Sequence, residues 1–239
     1  MSTSRMPTPR MNTSPTLAVI FDLDGTLVDS EPNYFEAGRL LLAQYGVSDF
    51  SWERHSRFIG IGTRETLAAL REEYGIDAPV DTLLAEKNRL YLERVRSSTE
   101  AFPQMRKLVE RLHTEGVPMA VASGSSGAAI DLALAVTGLD GYFTTTVSAE
   151  EVARGKPEPD VFLETARRLG AEPARCVVLE DAAPGVMAAR AAGMRCVAVP
   201  YAPAPGAPLD PAFGTAGLVF PDGQSEFTAQ AAYAWIVGE

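Results

Sequence analysis

The sequence predicts an α/β fold: a doubly wound, mostly parallel sheet with an all-helical insertion after its first strand. Three observations predict it. Five short apolar runs are continuous instead of alternating, helical stretches separate most of them, and one long segment carries no convincing strand. The runs are Leu17–Phe21, Val117–Ala122, Cys176–Leu179, Cys196–Val199 and Leu218–Phe220. Strands covered on both faces read this way because neither face meets water. Residues 103–115 place Met105, Leu108, Val109 and Leu112 on one stripe before Gly116. Residues 160–169 repeat the pattern before Gly170, and residues 184–192 open on Pro184 and stop at Gly193. Proline suits a first helical turn and glycine a helix end. Strand–helix alternation of this kind builds parallel βαβ units.

The strandless segment runs from residue 31 to about 100. It reads as helices over 32–45, 64–74 and 80–97, the first two closed by Gly46 and Gly75, with Phe58–Thr63 as a loop. The expected organisation is a core of residues 16–30 and 101–239 with a helical cap of residues 31–100. The cap leaves the core at the carboxyl end of the first strand, where open parallel sheets bind ligands, so it is placed to act as a lid.

Composition bounds the function. Of 239 residues, 46% are hydrophobic and 22% charged, enough for a large core. The net charge of −10 excludes bulk nucleic acid as a partner, because duplex binders need a basic face. An anionic small substrate would need a local cation. The two cysteines, Cys176 and Cys196, lie in apolar runs and read as reduced core thiols. The two histidines, His55 and His113, lie near no other candidate ligand in sequence, which argues against a histidine-based site. No run is long enough to span a membrane. Residues 1–15 lack an apolar h-region and read as a disordered leader, with Met6 and Met11 as alternative starts. A cytoplasmic location is the default expectation. Oligomeric state is not legible.

The strand ends carry the chemistry. Asp22-Leu23-Asp24-Gly25-Thr26 follows the first run, Ser123-Gly124-Ser125-Ser126 the second and Glu180-Asp181 the third, with Arg154-Gly155-Lys156-Pro157 between. Parallel strands bring these ends to one edge. Carboxylates at i and i+2, with two more from another strand end, make a hard oxygen site suited to Mg²⁺ and not to zinc. A carboxylate can attack phosphorus and split one hard step into two. The spread charge of a phosphoryl group in flight calls for a metal, a lysine and hydrogen-bond donors. Ser123, with the amides opening the next helix, supplies donors, Lys156 supplies a fixed cation, and Gly25 allows a tight turn beside the nucleophile. Taken singly, the same residues are a turn, a helix cap and a surface lysine.

Asp22-x-Asp24-Gly25-Thr26-Leu27-Val28-Asp29-Ser30, Ser123-Gly124, Gly155-Lys156-Pro157 and Glu180-Asp181-Ala182-Ala183-Pro184-Gly185 together resemble the haloacid dehalogenase superfamily. The resemblance is to the branch of β-phosphoglucomutase, phosphoglycolate phosphatase and small sugar-phosphate phosphatases. The motifs occur in the family's order and cover the core from residue 17 to about 200. The resemblance implies a Rossmann-like core and a Mg²⁺ cofactor. It makes Asp22 the nucleophile and a metal ligand, and Asp24 the general acid/base with its carbonyl on the metal. Thr26, Ser123, Gly124 and Lys156 would bind phosphate, Asp181 would ligate Mg²⁺, and Glu180 would act as ligand or stand just behind the ligands.

The cap residues are less determined. Thr63 and Arg64 sit at a loop-to-helix start; Arg64 either pairs with a substrate's distal oxygens or is an exposed helix arginine. Lys87 aligns with a position that contacts substrate in the mutase branch, yet lies mid-helix, where a solvated lysine is the norm. Tyr34 stands where that branch carries a histidine, which tilts the reading toward hydrolysis. The expectation is thus a Mg²⁺-dependent phosphatase acting on a small phosphorylated metabolite, of sugar-phosphate type, through an aspartyl-phosphate. The rivals are a β-phosphoglucomutase-like isomerase, a 2-haloacid dehalogenase, which needs neither Asp24 nor Mg²⁺, and a non-enzymatic binding protein, which should have lost a core motif.

Overall fold

The computed structural model describes residues 17–201 and 208–238. The leader read from residues 1–15 lies outside them. The strands are β1 (Ala18–Phe21), β2 (Met119–Ser123), β3 (Thr145–Ser148), β4 (Cys176–Glu180), β5 (Arg195–Ala198) and β6 (Leu218–Val219). They form one sheet in the order β3-β2-β1-β4-β5-β6, and every pairing is parallel. The helices are α1 (Glu31–Gln44), α2 (Trp52–Ser56), α3 (Thr63–Glu73), α4 (Val80–Ser98), α5 (Pro103–Thr114), α6 (Gly127–Thr137), α7 (Asp160–Leu169), α8 (Ala183–Ala191) and α9 (Ala229–Val237).

The continuous apolar character of β1 has the expected cause. All four residues are fully buried, with Val19 and Phe21 entering one core cluster and Ala18 and Ile20 the other. The first cluster takes in α5, α6 and α9 through Leu108, Ile130 and Ile236, and the second takes in α7 and α8 through Phe162 and Val186. Helices therefore cover both faces. Each predicted helix is present to within a residue or two. Gly170, at φ +66°, ends α7 in the left-handed conformation expected of a terminating glycine.

Three differences have physical reasons. β3 was not expected, because its sequence Thr-Thr-Val-Ser has no apolar run; it is an edge strand whose first half is only partly buried. β2 starts two residues after Val117, because Pro118 has no N–H to donate to a ladder. α2 and α9 were also missed, the first for its five residues and the second for its alanine-rich, unpatterned face.

The segment of residues 31–100, which precedes α5, holds α1 to α4 and, among the described residues, no strand, as expected. Its α1 packs on α4, and Leu41, Leu67, Leu83 and Val95 join the first core cluster. The two chain crossings into and out of it run side by side: Val28 bridges Ala101, and the Asp29 amide donates to the Glu100 carbonyl at 2.9 Å.

Candidate active site

Strand order fixes which residues meet. β1 lies between β2 and β4, and the chain turns in opposite directions on its two sides, so a crevice opens at its carboxyl end. Register places Phe21 beside Val121 and Leu179. The residue that follows β1 is Asp22, and its amide donates to the Leu179 carbonyl at 3.0 Å. Asp22, Ser123 and Glu180 are therefore neighbours by construction. The crevice is a cavity of about 770 Å³, walled on one side by the strand ends and on the other by α1, α3 and α4.

Lys156 reaches this floor from the loop before α7. Its Nζ donates to Asp22 Oδ1 and Glu180 Oε1, both at 2.5 Å, and to the Ala122 carbonyl at 3.4 Å. Glu180 Oε2 accepts from the amides of Asp181 and Ala182 at 2.9 and 3.0 Å, which fixes the turn that aims Asp181. Asp181 Oδ1 accepts from the Thr26 hydroxyl at 3.2 Å. Asp22, Glu180 and Asp181 bring ligand oxygens within 4.8 Å of one another.

One ammonium thus faces three buried carboxylates. Burial pushes the Asp22 carboxyl up to about 8; Lys156 opposes this, while Glu180 and Asp24 add to it. Burial, with Glu180 and Asp22, also holds Asp181 well above the usual carboxylate range. Burial would lower Lys156, but Asp22 and Glu180 outweigh it and keep the ammonium above its usual value. The surplus negative charge in an all-oxygen donor set is what a hard divalent cation satisfies, so these residues fit Mg²⁺.

Asp24 is held differently. Its Oδ1 accepts from Ser30 at 2.6 Å and Tyr91 at 3.0 Å, and its Oδ2 from Ser125 at 2.5 Å and Ser123 at 3.2 Å. Four hydroxyls therefore donate to one carboxylate, the two closest at charge-assisted distances. Tyr34 lies 2.5 Å from Ser125 Oγ and stacks on Tyr91. The Ser125 proton already points to Asp24, so Tyr34 donates to Ser125.

The expected residues fall into three groups. Asp22, Asp24, Ser123, Gly124, Lys156, Glu180 and Asp181 are brought together on the cavity wall. Thr26 is not: it is fully buried, off that wall, and its hydroxyl holds Asp181 where the resemblance implies a phosphate contact. Of the cap residues, Tyr34, Thr63, Arg64 and Lys87 all line the cavity. Arg64 is exposed and pairs with Asp81 at 2.6 Å. Lys87 is only 5% exposed, contrary to the solvated lysine that its mid-helix position suggests. The sequence reading missed Ser125, Tyr91, Glu31 and His55. The serine run after β2 signalled the first of these; the others come from helices with no motif.

Gly25 shows how tight the floor is. At φ +80°, an added Cβ would lie 2.2 Å from Asp181 Oδ2. Gly25→Ala is expected to cost about 1–3 kcal/mol in strain and overpacking and to lower activity by displacing Asp181. Thermal melting and phosphate release check both.

A carboxylate cluster with a buried lysine, set at the switch point of a parallel sheet and faced by helices across the cavity, places the protein in the class of α/β proteins with a Rossmann-like core. Residues 19–199 match the haloacid dehalogenase-like hydrolase family, and the chain belongs to it. Fructose-1-phosphate phosphatase YqaB of Escherichia coli is 38% identical over 181 residues, 76% of this chain and 95% of that protein. The bifunctional riboflavin kinase/FMN phosphatase of Arabidopsis thaliana is 36% identical over 186 residues, 77% of this chain; the chain spans about half of that relative's length (48%). The crystal structure of CbbY from Rhodobacter sphaeroides in complex with phosphate has a TM-score of 0.78 at 24% identity, covering 88% of this chain and 96% of that one. At that identity it speaks for the fold.

Proposed function

We propose that the protein is a Mg²⁺-dependent phosphomonoester hydrolase acting on a small phosphorylated metabolite of the sugar-phosphate class. The observation that carries this is the floor of the cavity, where Asp22 lies beside Asp181 and within 2.5 Å of Lys156, while Asp24 sits in a separate cradle of hydroxyls. Phosphatase relatives support the reaction class.

In this reading a carboxylate oxygen of Asp22 attacks phosphorus, and the bond to the alcohol oxygen breaks. Asp24 gives that oxygen a proton, so a neutral alcohol leaves. Water then attacks the phosphorus of the aspartyl-phosphate as Asp24 takes its proton; the bond from phosphorus to the Asp22 oxygen breaks, orthophosphate leaves and the Asp22 carboxylate is restored. Lys156 and the Ser123 hydroxyl hold phosphoryl oxygens as charge spreads onto them. Asp22, Asp181 and the Asp24 carbonyl would hold Mg²⁺, with Glu180 behind them fixing Lys156 and the turn. Bound there, the ion would neutralise phosphoryl charge.

Residues 31–100 serve as the cap over a core of residues 16–30 and 101–239. Tyr91 and Tyr34 reach across to Asp24 and Ser125, and Gly60 packs against Ala182 so closely that a Cβ would lie 2.5 Å from the Ala182 Cβ. Hydrolysis is favoured over mutase chemistry because a tyrosine on Ser125 occupies the place of the mutase histidine.

Phosphate release from p-nitrophenyl phosphate and a panel of sugar phosphates tests the proposal. EDTA is expected to remove at least about 99% of activity, and Mg²⁺ to restore it. Turnover untouched by chelation, or accelerated by a sugar bisphosphate primer, would overturn it.

A further inference from the structure

The cavity has a second group of buried charges, away from the carboxylate floor. Glu31 opens α1 and His55 lies in α2; His55 Nε2 and Glu31 Oε2 are 2.8 Å apart, with side chains 7% and 9% exposed. The His55 ring is fixed among Phe35, Phe50 and Trp52. Lys87 of α4 has its Nζ 5.2 Å from the centre of the Tyr34 ring. Burial lowers its ammonium to about 8, with Glu31 opposing the shift.

Two of these groups have unused hydrogen-bonding capacity. Among the described residues, none donates to Glu31 Oε1 and none accepts from Lys87 Nζ. Among the described residues, no side-chain nitrogen or oxygen sealed from solvent lacks a partner. Both free atoms therefore reach accessible space, and both residues line the cavity that contains Asp22. Each is therefore open to a ligand that enters the cavity, the carboxylate oxygen to a donor and the ammonium to an acceptor.

We propose that Glu31, positioned by His55, joins the cap lysine Lys87 to make a hydroxyl-reading subsite, and that it selects polyhydroxylated, singly phosphorylated substrates. This rests on the phosphatase reading above and specifies its alcohol. One substrate hydroxyl donates to Glu31 Oε1, and a neighbouring oxygen accepts from Lys87. The histidine occupies Glu31 Oε2 and leaves Oε1 for the ligand. A second phosphate would meet the Glu31 carboxylate there, while Arg64, the other cap cation on the cavity wall, is already paired with Asp81. A hydroxyl meets two matched partners. A site built to bond a hydroxyl discriminates sharply against ligands that lack one.

The test compares kcat/KM for fructose 1-phosphate, fructose 1,6-bisphosphate and p-nitrophenyl phosphate, which has no hydroxyl to read. Wild type is expected to prefer fructose 1-phosphate to both others. Glu31→Gln and Lys87→Met should each lower the ratio of fructose 1-phosphate to p-nitrophenyl phosphate activity by at least about tenfold, mostly through KM. His55→Leu should lower it in the same sense, and His55→Gln, which keeps a donor, should recover much of the loss. The same ranking is expected without turnover. In an Asp22→Asn background, calorimetric Kd for fructose 1-phosphate should weaken about tenfold relative to inorganic phosphate on adding Glu31→Gln. Ratios that stay within about twofold of wild type, or a wild-type preference for the bisphosphate, would overturn the subsite while leaving the phosphatase reading intact. Failure of wild type to release phosphate from any of the three overturns both.

Discussion

Asp22→Asn is expected to abolish phosphate release, lowering kcat by on the order of 10⁵-fold, as loss of a covalent nucleophile does in other enzymes. The amide keeps the size of the side chain and can still accept from Lys156, so the floor should stay assembled. What it cannot do is form an acyl phosphate. A residue that only moved a proton or steered water would leave far more activity, since such groups contribute about 10²–10⁴-fold. Two measurements decide the point: steady-state phosphate release, and acid-quench trapping of a phosphorylated protein in wild type but not in the variant. Residual turnover above about one part in a thousand, with a normal melting curve, would remove Asp22 from the nucleophile role.

Lys156→Met is expected to have the largest effect on stability. Lys156 holds Asp22 and Glu180 with its side chain 11% exposed. Methionine keeps most of the stem's contact with Phe162 but removes the charge. Breaking a buried pair by deleting one partner costs about 3–5 kcal/mol, which is about 10 °C of melting temperature at this chain length. The loss should depend on pH with a definite sign. Asp22 in the folded protein titrates at about 8, against an ordinary value of 3.8. The folded state therefore binds more protons between these values, and metal-free stability falls as pH rises from about 4 to 8. Lys156 opposes that rise in Asp22, so its removal strengthens the trend. Calorimetry in EDTA should show a larger drop in melting temperature at pH 8.5 than at pH 5.5. Equal drops would mean that Lys156 acts by packing and not by charge.

The two residues differ in how they were legible. Asp22 and Asp24 are readable because the motif is local: a buried strand must end, and two carboxylates at its end have nowhere to go but the sheet edge. Lys156 is readable only beside the other motifs, since 134 residues separate it from Asp22. The cradle of Asp24 was largely hidden. Ser30, Tyr91, Ser123 and Ser125 come from the end of the first motif, α4, the end of β2 and the loop after it. The same holds for His55, set aside on sequence because no ligand lies near it; its partner Glu31 is 24 residues away, on another helix.

The sequence by itself determined five of the six strands described, the helical insertion and which residues form the floor, because continuous burial and motif spacing act over a few residues. Only the tertiary structure decided what surrounds them. It took Thr26 off the cavity wall and onto Asp181, and it buried Lys87 where periodicity gave a solvated side chain. It also closed α1, α2 and α4 around Glu31 and His55. The reason is physical: burial and pairing of a polar side chain depend on which helix faces it, and helix faces meet through long-range packing that no local pattern encodes.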